Sequence, residues 1–340
     1  MKKIVTFGEL MLRLAPKGYL RFLQEPEFQA TFGGGEANVA VSLANYGAEA
    51  VFVTKLPKND IAEAAVRELR RYHVDTAKIT RGGQRMGIYY LEKGASQRPS
   101  KVIYDRAHSA ISAALPSDFD WDDIFGEAGW FHFTGITPAL GGNLPQICME
   151  AVKAAKSRGL TVSCDLNYRK SLWTCEEAER VMVPLMEYVD VCIANEEDAE
   201  KVFSIKANAT DVEKGSLNRD GYAQVAARLR ERFGFHYVAI TLRASLSASD
   251  NQWAAALYNG MECFFSKEYP IHIVDRVGGG DSFAGGLIYG LIAGMEDKEA
   301  LEFAVAASCL KHSVEGDFNL ATAEEVCSLA AGDGSGRVQR

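Results

Sequence analysis

Short apolar runs alternate along the chain with longer segments whose apolar positions recur at helical spacing. The short runs predict buried strands at 3–7, 51–55, 87–92, 101–105, 130–134, 161–165, 189–194 and 237–242. The longer segments predict helices. The first follows a turn at 33–36 and carries Val39, Ala40, Leu43 and Ala44 toward Tyr46, where Gly47 ends it. Others are expected over 61–69, 144–158, 175–186, 222–233 and 282–292. Such alternation implies right-handed βαβ units, so the fold class is α/β, a mostly parallel central sheet with helices on both faces. Ligands of such a sheet bind outside the carboxyl ends of its strands. Residues 8–32 and 84–106 break the order, with short β-like pieces and no helix between them.

A chain of 340 residues, 47% hydrophobic and 24% charged, can bury a large core in one main domain, expected over 1–328. Few apolar residues follow, and 329–340 is expected to be a flexible tail. A net charge of −8 without a basic run argues against nucleic acid or an anionic membrane as partner. No stretch approaches the ~20 apolar residues of a membrane helix. The amino-terminal run is broken too soon for a signal peptide, so the expected location is the cytoplasm. Seven cysteines without C-x-x-C suit reduced thiols, each expected as a small buried hydrophobe. The six histidines show no paired metal spacing.

The chemistry concentrates in Gly278-Gly279-Gly280-Asp281, which precedes a helical pattern. Consecutive glycines let backbone N–H groups point into one concavity, and a helix N-terminus adds partial positive charge. That suits a phosphoryl group gaining negative charge. A carboxylate is a poor phosphate ligand, so Asp281 makes chemical sense there as a general base for an attacking hydroxyl. Taken alone, the motif also fits a βα turn whose Asp caps the helix.

The stretch Asp275-Arg276-Val277-Gly278-Gly279-Gly280-Asp281-Ser282-Phe283 resembles the carboxyl-terminal signature D-T-x-G-A-G-D-x-F of the ribokinase-like (PfkB) carbohydrate kinases. Gly33-Gly34-Gly35-Glu36-Ala37-Asn38-Val39-Ala40 is similar to that family's amino-terminal glycine motif, and the likeness runs from about Ile4 to about Val326. Four further segments resemble the branch acting on 2-keto-3-deoxygluconate. They are Tyr104-Asp105-Arg106, residues 135–140, Asp165-Leu166-Asn167-Tyr168-Arg169 with Trp173, and Gly316-Asp317-Phe318. Arg106 and Arg169 set this branch apart physically, since a substrate carboxylate needs a cation that a neutral sugar does not.

The resemblance implies a ribokinase-like fold with a small β-sheet lid built from about 8–32 and 84–106. It implies a phosphotransferase with an alcohol acceptor, using ATP and Mg2+, with K+ as a further candidate ion. The expected reaction is phosphorylation of 2-keto-3-deoxy-D-gluconate on its terminal (6) hydroxyl, with Asp281 as base and Gly278, Gly279 and Gly280 as anion hole. Substrate contacts are expected from Gly34, Gly35, Asn38, Tyr89, Tyr104, Arg106, Arg169, Asp281 and Asp317. ATP contacts are expected from Asn167, Asn195, Thr241, Arg243, Gly278 and Gly280, and Asp198 is expected to meet the metal through water. A homodimer or higher homo-oligomer through the lid is expected as well. Arg276 departs from the family's Thr, Gly279 from its Ala, Asp198 from its Glu, and 243–249 from its glycine-containing loop. The alternatives are another kinase of the family, of fructokinase or ribokinase type, and a sugar- or nucleotide-binding homologue without turnover.

Overall fold

A computed structural model describes residues 2–24, 26–195, 197–206 and 219–334. The amino-terminal part runs β1 (Lys3–Phe7), β2 (Met11–Ala15), β3 (Gln29–Gly33), α1 (Gly35–Asn45), β4 (Ala50–Val53), β5 (Lys55–Leu56) and α2 (Asp60–Arg71). It continues with β6 (Thr80–Arg81), β7 (Gly87–Glu92), β8 (Lys101–Asp105), α3 (Trp121–Phe125), β9 (Ala128–Thr134), α4 (Ile136–Ala139) and α5 (Leu144–Ser157). Then come β10 (Thr161–Asp165), α6 (Cys175–Met186), β11 (Val191–Asn195), α7 (Asp198–Phe203), α8 (Arg219–Phe233) and β12 (Tyr237–Ser245). The carboxyl-terminal part adds β13 (Asp250–Tyr258), β14 (Cys263–Phe265), β15 (Tyr269–His272), α9 (Gly279–Ala293), α10 (Asp297–His312) and α11 (Ala323–Ala331).

Strands β4, β1, β9, β10, β11 and β12 lie side by side and parallel. An antiparallel edge follows, with β13 beside β12 and both β14 and β15 on β13. Alternate residues feed two cores, as a sheet covered on both faces requires. Val5, Phe7, Val53, Phe131 and Phe133 join one face with α5 and α6, whereas Ile4, Phe52, Trp130, Ile193 and Ala239 join the other with α1, α2 and α9. Phe131 touches the rings of Trp121, Phe125 and Phe133, and truncating such a side chain to Ala costs about 3–5 kcal/mol.

A separate sheet of order β3-β2-β7-β8 comes from the segments that lack helices. Its outer strand β8 is exposed along its whole length. Arg13 of β2 ties this sheet to the main body. It is buried and donates to Asp317 at 2.7 Å and to Asp275 at 2.5 Å.

Several expectations shift. Strand β12 continues through Arg243 and Ser245, pairing with Trp253 and Asn251 of β13, so half of the loop expected over 243–249 is a β-hairpin arm. Its tip is fixed by Ser247 Oγ, which accepts the N–H groups of Ser249 and Asp250. Helix α9 begins at Gly279 rather than 282, which makes Asp281 part of its first turn. Helix α11 runs to Ala331, beyond the tail boundary expected at 329, with a Thr322 and Glu325 capping box at its start. Residues 335–340 of the expected tail lie outside the described residues. All seven cysteines are free thiols, but Cys175 and Cys327 are exposed rather than buried. Cys175 opens α6 at the surface and Cys327 lies on the outer side of α11. Among the described residues, no helix is long and apolar enough to cross a membrane.

Candidate active site

Two helix N-termini build the site. Gly34 precedes α1 in extended conformation, and a Cβ there would lie 1.9 Å from the Glu9 carbonyl oxygen, so only glycine fits. Its N–H donates to Asn38 Oδ1 at 3.3 Å. Glu36 of the first turn is buried and anchors α1 to the end of β9. It accepts from the Thr134 N–H at 3.0 Å, Thr134 Oγ1 at 2.8 Å and Thr137 Oγ1 at 2.6 Å. Burial still pushes its carboxyl up to about 7 against those bonds.

The second N-terminus is that of α9. Gly278 caps it in the left-handed region (φ 83°), with Asp317's carbonyl oxygen 2.0 Å from where a Cβ would be. The first intrahelical bond is Ser282 N–H to Gly278 oxygen, 2.8 Å, so the N–H groups of Gly280 and Asp281 precede it and have no helical partner. Gly279 differs from its neighbours. It faces the His312 ring, 2.4 Å from a Cβ position, and its N–H donates to the Arg276 carbonyl at 3.4 Å. Gly278 and Gly280 line the concavity at the opening turn of α9, whereas Gly279 does not.

Asp281 stands where the two N-termini meet. Asn38 Nδ2 donates to its Oδ2 at 2.7 Å, and a Cβ on Gly35 would be 3.6 Å from its Oδ1. Burial raises its carboxyl to about 6. The Asn38 hydrogen bond, Arg169 and Lys311 oppose the rise, and Asp317 adds to it.

One cavity of about 350 Å³ opens in front of Asp281. From the small sheet, α1 and the nearby loops it is lined by Glu9, Gly34, Gly35, Asn38, Tyr89, Tyr104, Arg106 and Asp317. From the strand ends and the α9 turn come Asp165, Asn167, Arg169, Asn195, Thr241, Arg243, Arg276, Gly278 and Gly280. The candidate residues thus converge, apart from Gly279 and Asp198.

Their bonding differs from what sequence alone suggests. Arg106 gives Nε to Glu9 at 2.8 Å and pairs its Nη2 with the same carboxylate, while stacking 5.1 Å over Tyr104. Tyr89 lines the cavity and already donates its hydroxyl to Asp317 at 2.6 Å. Arg169 is exposed and donates from Nη1 to its neighbour's carbonyl, Tyr168, at 3.0 Å; among the described residues it has no carboxylate within ion-pair distance.

At the strand ends, Asn167 adopts φ 40° and gives its N–H to Asp165 Oδ1 at 3.1 Å. Asn195 Oδ1 accepts the N–H groups of Glu197 and Asp198, and Thr241 Oγ1 donates to the Ala194 carbonyl at 3.4 Å. Asp198 is buried and accepts from Tyr168 N–H at 3.1 Å and Asn195 N–H at 3.0 Å. It clamps the loops after β10 and β11 together and does not itself line the cavity. Among the described residues no three His, Cys, Asp or Glu side chains group as a metal site.

Among the charged lining residues, Glu9, Glu36, Asp165 and Arg276 were given no site role from the sequence. Asp165 ends β10 and Glu9 lies in the loop just after β1, positions where ligands of an α/β sheet bind, and that was their signal. Burial drives Asp165 well above the usual carboxylate range, with Asp198 and Asp281 nearby and Arg169 opposing. Arg276 was visible only as a departure from the motif. It donates to the Ala248 carbonyl at 3.1 Å, and Arg243 disfavours its charge.

Comparison with known proteins agrees with this geometry. Residues 1–322 match the pfkB family carbohydrate kinases. The structure is similar to the crystal structure of 2-dehydro-3-deoxygluconokinase from Thermotoga maritima, at 55% identity and a TM-score of 0.94 over 97% of this chain and 98% of that one. The 2-dehydro-3-deoxygalactonokinase of Haloferax volcanii is 32% identical over 98% of both chains. The 2-dehydro-3-deoxygluconokinase of Bacillus subtilis is 27% identical over 96% of this chain and 94% of its own.

Proposed function

Because the chain belongs to the pfkB family of carbohydrate kinases, we propose that it transfers the γ-phosphoryl group of ATP to the terminal hydroxyl of 2-keto-3-deoxy-D-gluconate, also called 2-dehydro-3-deoxygluconate. One observation carries this reading: Asp281 and Arg169, a guanidinium with no carboxylate on it among the described residues, line the same cavity beside the α9 N-terminus.

The sugar acid lies between α1 and the small sheet, with its carboxylate on Arg169 and the free edge of Arg106. Gly34, Gly35 and Asn38 meet its hydroxyls, and the rings of Tyr89 and Tyr104 cover it. Asp281 takes the proton of the 6-hydroxyl. The oxygen forms a bond to the γ-phosphorus as the bond to ADP breaks, and the Gly278, Gly280 and Asp281 N–H groups stabilise the growing charge.

ATP lies along Asn167, Asn195, Thr241 and Arg243. Asp165 fits a dication that arrives with it, because its buried carboxyl beside two other acids needs positive charge to ionise. Magnesium keeps most of its waters in such sites and neutralises phosphate charge when bound. The small sheet serves as a lid, and its free edge pairs with a second copy of the chain.

The likeness to the Haloferax enzyme favours one second reading, the C4 epimer 2-keto-3-deoxy-D-galactonate. ADP release measured on both epimers, fructose and ribose tests the proposal. Turnover of the gluconate form above the others is expected. Preference for a neutral sugar would overturn the carboxylate argument, and equal phosphoryl transfer by Asp281→Asn would overturn the base.

A further inference from the structure

Lys311, in the last turn of α10, is a fully buried lysine, 0% exposed. Its Nζ reaches the main-chain carbonyls of Val314 at 3.1 Å and Asp275 at 3.4 Å, and among the described residues no carboxylate oxygen lies within ion-pair distance of it. Its Cε is 3.2 Å from a Cβ position on Gly278, so the side chain runs directly beneath the cap of α9. Burying an ammonium without a carboxylate partner costs several kcal/mol, and a Met of similar length would fill the volume without that cost. Lys311 therefore calls for a use of its charge.

The loop it touches carries the glycine turn. Asp275 is held on its side chain by Arg13 at 2.5 Å, by the Val277 N–H at 3.1 Å and by the Gly316 N–H at 3.2 Å. Lys311 holds the same residue on its main chain. Burial lowers the lysine's proton affinity, whereas Asp275, Asp317 and Asp281 raise it, and its charge in turn favours ionised Asp281.

We propose that Lys311 is a positioning residue whose ammonium is the built-in cation behind the anion hole, fixing the Asp275 to Gly278 loop through its carbonyls and adding positive potential where the migrating phosphoryl group gains charge. This rests on the kinase reading above. The loop carries its own monovalent cation, so turnover needs no added one.

The test compares wild type, Lys311→Met and Lys311→Ala in buffer free of alkali-metal and ammonium ions, with circular dichroism to verify folding. For Lys311→Met, kcat falls on the order of 10- to 100-fold, while KM for the sugar and Kd for ADP change by less than about threefold. Added ammonium or potassium chloride partly restores Lys311→Ala and leaves wild type unchanged. Should Lys311→Ala not fold, the kcat against KM split in the near-isosteric Met variant decides. Activation of wild type by potassium, an unchanged kcat in Lys311→Met, or joint loss of binding and turnover without rescue overturns the proposal. If wild type phosphorylates a different sugar, the substrate assignment alone falls and the comparison is run on that sugar. If wild type phosphorylates no acceptor, both fall.

Discussion

Asn38 donates a hydrogen bond to Asp281 across 243 positions of sequence, joining the first glycine motif to the last. Its other amide atom, Oδ1, accepts the Gly34 N–H, so one side chain fixes both the glycine turn before α1 and the Asp281 carboxylate. The bond favours the ionised form of Asp281 against burial. Asn38→Ala is therefore expected to move the acid limb of kcat/KM upward from about 6 by about one pH unit, the worth of one hydrogen bond to a charged group. An acid limb that stays in place would remove Asn38 from the titration.

Asp281→Asn should cut kcat by at least about a thousandfold while leaving ADP affinity within about threefold, measured by calorimetry. Stability carries an independent signature. Burial holds the folded-state carboxyl near 6, above the usual 3.8, so the folded chain binds the extra proton. That contribution is complete below the lower value and is lost as pH rises through about 6. Asp281→Asn is expected to unfold at higher temperature than wild type above pH 6, being more stable there by about 3 kcal/mol, and to match it near pH 3.

The two arginines should separate by substrate. Among the described residues Arg169 has no carboxylate partner, so Arg169→Ala is expected to raise KM for the sugar acid by about 10- to 100-fold and to alter any slow turnover of fructose far less. Arg106 already gives two of its nitrogens to Glu9, which leaves less of the fork for a ligand. Arg106→Ala should therefore cost less, and Glu9→Gln, which frees the fork, should lower KM for the acid. Equal effects on acidic and neutral sugars would remove the charge argument.

Much of the frame was legible because its periods are clean. β10 shows as a short buried run over Thr161–Asp165, covered on both faces, and α6 as a single apolar stripe over Cys175–Met186. Helix α10 was missed for the opposite reason. It is buried nearly all round, between α9 and the antiparallel edge of the sheet, so no polar face marks its period. The strand β13 was missed because a serine-rich turn precedes it and three alanines occupy its centre, which reads as neither strand nor loop. At the site, glycines and Asp281 were readable from spacing, whereas Glu9 and Asp165 gain meaning only once strand ends are brought together. For Asp198 the sequence offered only an acid in a loop segment, whereas the fold puts its two oxygens on the N–H groups of Tyr168 and Asn195.

The outer strand of the small sheet is the remaining exposed feature that calls for a partner. Among the described residues β8 pairs with β7 on one side only, and Val102, Ile103 and Tyr104 are 41%, 44% and 45% exposed. An open edge with apolar side chains invites pairing with another strand. Val102 and Tyr104 line the cavity, and Ile103, between them, points to the other face. A second copy pairing along this edge would cover Ile103 and hold Tyr104 in place over the sugar. Light scattering is expected to give about twice the 37.2 kDa chain mass for wild type and the single-chain mass for Ile103→Lys. The same variant should raise KM for the sugar acid while leaving ADP affinity unchanged, since only the small sheet depends on the contact. A single-chain mass for wild type at micromolar concentration would contradict the pairing.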